Sequence, residues 1–206
     1  MAFRKFLGGG SSGPRFAADW LVVGLGNPGP RYERTRHNAG FMAVDVLAAR
    51  TRAAGRVIGD AWVAEASLAG ETALLVKPLS FMNGSGGPVA WVLAANGGSP
   101  ADLAVLVDDV ALELGVIRVR ERGSHGGHNG LRSLGESLGT DEFPRVRIGV
   151  RRGELPADLA QYVLADFGPD EVLIVQEAVG LAADAATCFL EDGPTMAMNR
   201  FNGRRP

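Results

Sequence analysis

Apolar residues recur along this chain in two rhythms: short, nearly continuous runs and longer runs at helical spacing. Trp20–Gly24, Ala61–Ala69, Thr72–Lys77, Ala104–Val107, Ile117–Arg120 and Arg145–Val150 are apolar runs bounded by turn-forming or polar residues, and they predict strands. Ala39–Ala54, Pro88–Ala95, Gly130–Leu138, Asp170–Leu190 and Thr195–Asn202 predict helices. Over Asp170–Leu190, Val175, Ala178, Ala182 and Phe189 share one face. Asp170 and Glu171 suit the positive end of that helix dipole. Gly70-Glu71, between two of the strand runs, predicts a hairpin. Strands alternating with helices imply a single α/β domain of three layers, a twisted, mostly parallel mixed sheet flanked by helices. In such sheets functional loops gather at the carboxyl ends of strands, here after Gly24, Lys77, Val107 and Arg120.

Composition narrows this picture. A chain of 206 residues with 46% hydrophobic content suits one compact domain, placed at 19–206, with no need of staples. Residues 1–18 include Gly8-Gly-Gly-Ser-Ser-Gly13, lack periodicity and read as a disordered N-terminal extension. Arg4, Lys5 and Arg15 raise a targeting segment, but the extension has no apolar core and no amphipathic face. Cys188 stands alone in an apolar stretch, which predicts a small buried hydrophobe, no disulfide framework and a reducing compartment. No apolar run is long enough to predict a membrane span. The net charge of −2 hides a strong asymmetry. Residues 118–152 hold eight arginines and four acids, whereas 153–192 hold nine acids and neither Lys nor Arg. One face could therefore bind a polyanion, although solvated surface accounts for such a pattern equally well.

The chemistry sits in the predicted loops. Gly24-Leu-Gly-Asn-Pro-Gly29 fits the dinucleotide fingerprint, but Pro28 and Pro30 favour a turn where that motif needs a helix start. The same loop carries His37-Asn38, one of only three histidines, among polar and glycine residues. The second loop, Lys77-Pro-Leu-Ser-Phe-Met-Asn83, offers Asn83 as a helix cap or an amide donor to a developing oxyanion, and Met82 as packing. Ser80 and Ser85 lack the G-x-S-x-G setting of a nucleophile. The third loop brings Asp108-Asp109, and a carboxylate there can accept from a histidine Nδ1–H and leave Nε2 free to take a proton. The fourth, Gly123-Ser-His-Gly-Gly-His-Asn-Gly130, exposes backbone N–H groups before a helix, a setting for anions. His125 and His128 lack a third ligand at sensible spacing, so no metal is expected. These residues together suit a hydrolase with no amino-acid nucleophile: a neutral histidine activates water and amides hold the carbonyl.

At these residues the chain resembles the bacterial-type peptidyl-tRNA hydrolases. The matching blocks are Gly24-Leu-Gly-Asn-Pro-Gly29, Thr35-Arg-His-Asn-Ala-Gly40, Lys77-Pro-Leu-Ser-Phe-Met-Asn83, Gly126-Gly-His-Asn-Gly-Leu131 and Arg145-Val-Arg-Ile-Gly149, in order from about residue 20 to Met198-Asn-Arg200. The resemblance implies cleavage of the ester joining a peptide to the tRNA 3′ end, so that the tRNA returns to translation. It implies His37 as base, Asp108 as its orienting acid and Asn83 beside the scissile carbonyl. Asn27 and Asn129 would place the substrate's peptide and 3′-nucleotide ends, with Tyr32, Met82 and His128 lining the site. Arg118, Arg120 and Arg147 are the expected phosphate contacts. The resemblance further implies a cytoplasmic monomer without cofactor, metal, membrane or obligate protein partner. The chain departs from the family pattern in three places. Ala111 stands where the family has a second carboxylate, Arg151–Ala157 makes a short lid region, and residues 1–18 have no counterpart. Two rivals remain at this point, an RNA-binding module on the same fold and a dinucleotide-dependent oxidoreductase.

Overall fold

The computed structural model describes residues 16–206. Its sheet has seven strands: β1 (Trp20–Gly24), β2 (Arg56–Ile58), β3 (Ala61–Leu68), β4 (Glu71–Pro78), β5 (Leu103–Glu113), β6 (Ile117–Arg120) and β7 (Arg145–Arg151). Their spatial order is β2-β3-β4-β1-β5-β7-β6. β1 runs parallel to β4 and β5, and β7 runs parallel to β5. The pairs β2–β3, β3–β4 and β6–β7 are antiparallel. Parallel pairing is thus confined to the centre, where both faces are covered, and antiparallel pairs close both edges.

Alternation along β1 explains the three layers. Leu21, Val22 and Val23 are all fully buried. Val22 joins the core under α1 (Ala39–Thr51) and α5 (Val172–Phe201), while Leu21 and Val23 face α2 (Gly86–Asn96) and α3 (Asn129–Leu138). α1 sits unusually close to the sheet. A Cβ on Gly40 would lie 2.3 Å from the Leu106 carbonyl oxygen, and one on Gly24 would lie 2.4 Å from that of Gly40. Backbone therefore packs on backbone where α1 begins, directly over the end of β1 and Leu106 of β5.

Several elements differ from their sequence expectation, each for a local reason. The hairpin turn is Ala69-Gly70, both at positive φ (51° and 89°), the combination a two-residue turn of matching twist requires. β2 has only three residues and α4 (Leu159–Val163) only five, too few to show a period. The expected helices Asp170–Leu190 and Thr195–Asn202 lie on either side of a break in α5 at Gly193 (φ 80°, ψ 175°), which is followed by Pro194. Among the described helices α5 alone is long and apolar enough to cross a membrane, a length the sequence reading missed; half of its most apolar window is buried in the protein. β5 continues well past Val107 to Glu113, with a register irregularity between Asp109 and Glu113. The extension placed at 1–18 lies outside the described residues up to 15, while Phe16 is buried and Ala18 exchanges two hydrogen bonds (3.0 and 2.9 Å) with the Asn96 side chain.

Candidate active site

The loop after β1 folds into two short 3₁₀ turns, Pro30–Tyr32 and Arg36–Asn38, before α1 starts. Asn38 fastens this loop to itself: its Oδ1 accepts from the Asn27 N–H at 2.8 Å, and its Nδ2 donates to the Asn27 carbonyl at 3.0 Å. Asn27 in turn accepts the Met82 N–H on Oδ1 at 2.8 Å, so the first loop is pinned to the second. With the loop held, the His37 ring turns Nδ1 toward both oxygens of Asp108, at 2.9 and 3.0 Å.

Asp108 is not on a loop, contrary to the sequence expectation. It lies within β5, is only 3% exposed, and stands beside Ile148 of β7 in register. A second histidine makes its burial tolerable. His128 Nε2 lies 2.9 Å from Asp108 Oδ1, and His128 Nδ1 accepts the Gly130 and Leu131 N–H groups at 3.2 and 3.3 Å, capping α3. An Nδ1 that accepts leaves the proton on Nε2, so His128 donates to the carboxylate. The His37 and His128 rings are 4.9 Å apart between centroids. Burial favours the uncharged forms of both partners, but the facing charges and hydrogen bonds outweigh it. The His37 pKa is raised above its ordinary value, and the Asp108 carboxyl falls well below the usual carboxylate range.

His37, Asp108 and His128 are also the one group among the described residues whose ligand atoms lie close enough together to hold a metal ion, within 4.8 Å. Their hydrogen bonds argue against that use. Ligation through His128 Nε2 would shift its proton to Nδ1, opposite the Gly130 and Leu131 N–H groups that Nδ1 now accepts.

An open cavity of about 410 Å³ extends from His37, walled by Asp108, His128, Asn129, Arg120 and Arg147 among the residues expected from sequence. Arg118 and Arg120 stand opposite Arg147 and Arg145 in the β6–β7 register. Arg118 is not on the cavity wall, and Arg147 is already ion-paired to Asp109. Arg122 and Arg145, which the sequence reading passed over, are on the wall. Arg145 is buried, with its guanidinium donating to the Phe143, Ser124 and Asp141 carbonyls. Burial brings its pKa down to about 10, with Asp141 opposing and Arg147 reinforcing the shift. Asn129 is exposed, and its Oδ1 accepts from Arg132 at 2.9 Å.

The other expected residues form a second cluster. Met82 is buried, with its Sδ against Gly130, and Asn83 is exposed beside it on a 3₁₀ turn rather than on the cavity wall. Tyr32 meets the exposed Phe81 edge-on at 6.2 Å. Ser85 is buried and donates to the Met82 carbonyl at 2.9 Å, a tie that suits the turn and not a nucleophile. Asn38 was the positioning residue most open to discovery from sequence, since it adjoins His37, but nothing in a linear pattern says that its amide closes back on Asn27.

With this geometry in place, three comparisons bear on kinship. The family profile described as Peptidyl-tRNA hydrolase matches residues 21–206. A peptidyl-tRNA hydrolase of Symbiobacterium thermophilum is 47% identical over 189 residues, 88% of this chain and 98% of its own length. One from Chloroflexus aurantiacus is 45% identical over 185 residues, 89% of this chain and 98% of its own. The crystal structure of peptidyl-tRNA hydrolase from Acinetobacter baumannii superposes with a TM-score of 0.85 at 29% identity, covering 93% of this chain and 98% of that one.

Proposed function

The chain belongs to the peptidyl-tRNA hydrolase family, and from that premise we propose that it hydrolyses the ester between a peptide and the tRNA 3′ end by base catalysis at His37, with no covalent intermediate. Asp108 holds the proton on His37 Nδ1, which leaves Nε2 as the basic nitrogen facing the cavity. Nε2 takes a proton from water as the water oxygen bonds to the ester carbonyl carbon. The tetrahedral adduct then expels the ribose oxygen, which recovers the proton from His37. The products are a free peptide acid, which releases its proton to solvent, and a tRNA with its terminal hydroxyl restored. Asp108 stabilises the transient imidazolium, as the raised His37 pKa reflects. Asn83, exposed beside the pinned Met82, is our candidate donor to the developing oxyanion. Asn27, Tyr32, Met82 and Asn129 would receive the peptide and 3′-nucleotide ends. Arg120 and Arg122 are better placed than Arg118 to meet phosphate, being both exposed and on the cavity wall. The reading requires no cofactor and no second chain, and it places the enzyme with the translation machinery.

The observation that carries the mechanism is the His37–Asp108–His128 arrangement, in which the third residue fixes the hydrogen-bonding role of the second. The test uses an N-blocked aminoacyl-tRNA beside the free aminoacyl-tRNA. Only the blocked ester should be cleaved, and His37→Ala should lose at least ~10²-fold in kcat, the usual contribution of general acid–base catalysis. Binding of both tRNAs without turnover would favour the RNA-binding alternative.

A further inference from the structure

We propose that Arg36 is a positioning residue: it locks the turn that carries His37 to the α4–α5 segment beside the cavity. The inference rests on His37 being the base. Arg36 immediately precedes His37 and is buried, 8% exposed. Its Nη1 donates to the Ala165 and Asp166 carbonyls at 3.3 and 2.7 Å, and its Nη2 donates to Glu171 Oε2 at 2.7 Å. The guanidinium carbon lies 4.6 Å from the Tyr162 ring centroid and 5.2 Å from that of Phe167. The backbones join too: the Arg36 N–H donates to Ala165 at 3.2 Å, and the Phe167 N–H donates to Arg34 at 3.1 Å, around a bridge between Thr35 and Asp166.

Each partner is itself tied down. Glu171 Oε2 accepts the Gly168 N–H at 2.6 Å. The Tyr162 hydroxyl donates to the Val150 carbonyl and accepts the Arg152 N–H, each at 2.9 Å, which fixes α4 to the end of β7. One guanidinium therefore joins the His37 turn, the α4–α5 junction and, through Tyr162, the sheet. α4 supplies Leu159, Ala160 and Val163 to the cavity wall. The placement of His37 against Asp108 and the placement of this wall are then one mechanical variable.

Stability alone is a weak account of this cluster. A buried ion pair is often replaceable by apolar groups of like volume at no loss. This one also leaves Arg36 Nε and Glu171 Oε1 buried without hydrogen-bond partners. What a planar guanidinium supplies, and an ammonium does not, is a rigid fork that stacks on rings while aiming at fixed acceptors. That property positions the neighbouring backbone, and His37 is the next residue.

The test is Arg36→Lys, which keeps the charge and loses the fork, assayed for KM, kcat and the pH dependence of kcat on a short peptidyl-adenosine fragment. The titratable and charged groups around the His37 ring are Asp108 and His128 in contact, with Asp109, Arg120, Arg122, His125, Arg145 and Arg147 along the wall; the contacts of Arg36 given above all lie on the α4–α5 segment, so the variant leaves those groups in place. We expect kcat to fall roughly tenfold to a hundredfold, the cost of a displacement of about 1 Å at a reacting group, with KM changed less than threefold. The acid limb of the profile should move away from its wild-type position as His37 loosens from Asp108. A folded Arg36→Lys enzyme with wild-type kcat and an unmoved limb overturns the inference. If that variant does not fold, Glu171→Ala decides, because it removes the Oε2 that accepts Arg36 Nη2 and so breaks the tie to the start of α5 while leaving the guanidinium in place. A lowered kcat with a shifted limb supports the lock, and a wild-type profile overturns it. His37→Ala measured alongside separates the two claims: if it keeps its activity, the base assignment has failed, whatever Arg36 does.

Discussion

Replacing Asp108 by asparagine should damage this enzyme through hydrogen-bond direction as well as charge, and His128 decides the direction. In the wild type the carboxylate accepts from His37 Nδ1 on both oxygens and from His128 Nε2 on Oδ1. His128 cannot reverse its role, because its Nδ1 already accepts two backbone N–H groups at the start of α3. In Asp108→Asn the amide oxygen must therefore stay toward His128, and the NH₂ group takes the Oδ2 position, 3.0 Å from His37 Nδ1 in the wild type. The NH₂ group and the His37 Nδ1–H would then face each other as donors, with only the Oδ1 position, 2.9 Å from Nδ1 and shared with His128, left to accept; moving the His37 proton to Nε2, the nitrogen that must accept from water, relieves that conflict. An analogous aspartate-to-asparagine change in a serine protease triad lowers kcat about 10⁴-fold by this tautomer error. The same order here corresponds to about 5.5 kcal/mol of transition-state stabilisation, at roughly 1.4 kcal/mol per factor of ten. The pH profile gives a second reading. His37 is raised above about 6.5 because Asp108 outweighs burial, so the wild-type activity should be lost as pH falls through that raised value. Without the carboxylate charge burial dominates, and any residual acid limb should lie below about 6.5. The assay is single-turnover release of an N-blocked aminoacyl group from tRNA across pH 5 to 9, in Asp108→Asn and in Asp108→Asn/His128→Leu. The second substitution frees the amide to turn over, so the double variant should recover part of the loss. A loss within tenfold, or a double variant that is simply worse, refutes the tautomer argument.

Three further outcomes are expected. Activity should survive prolonged EDTA treatment, since the mechanism activates water with imidazole and the His128 proton obstructs ligation; loss restored by zinc would demote His37 to a ligand. KM for a whole-tRNA substrate should climb with salt, while a peptidyl-adenosine fragment should lose that dependence; Arg120→Gln and Arg122→Gln should flatten the slope by about 0.7 per phosphate contact removed, and equal slopes for the two substrates would confine recognition to the 3′ end and peptide. Gly40→Ala should lower stability by about 1–3 kcal/mol or more, because its Cβ would meet the Leu106 carbonyl at 2.3 Å; a melting temperature unchanged from wild type would mean α1 shifts freely.

Much of the architecture was legible in the chain because it rests on local period. Leu21–Val23 read as part of a strand, and in the structure its successive side chains divide between the two cores. His37, Asn83 and His128 stood out through residue type and turn context, and the α5 break was visible as a gap between two helical runs. β2 and α4 were invisible because three or five residues carry no period, and the end of β5 was misplaced because Asp108 breaks the apolar run that marks a strand. That carboxylate is tolerated in the sheet only because two histidines, 71 and 20 residues away in the chain, donate to it. The same holds for Asn38 on Asn27, Arg36 on Glu171, and the sorting of the arginines into exposed, paired and buried. Sequence patterns report which groups are present and which face of an element they occupy. Hydrogen-bond direction, desolvation and the pKa of a buried pair depend on distances across the fold, and those exist only once α1 has packed backbone to backbone onto β1 and β5.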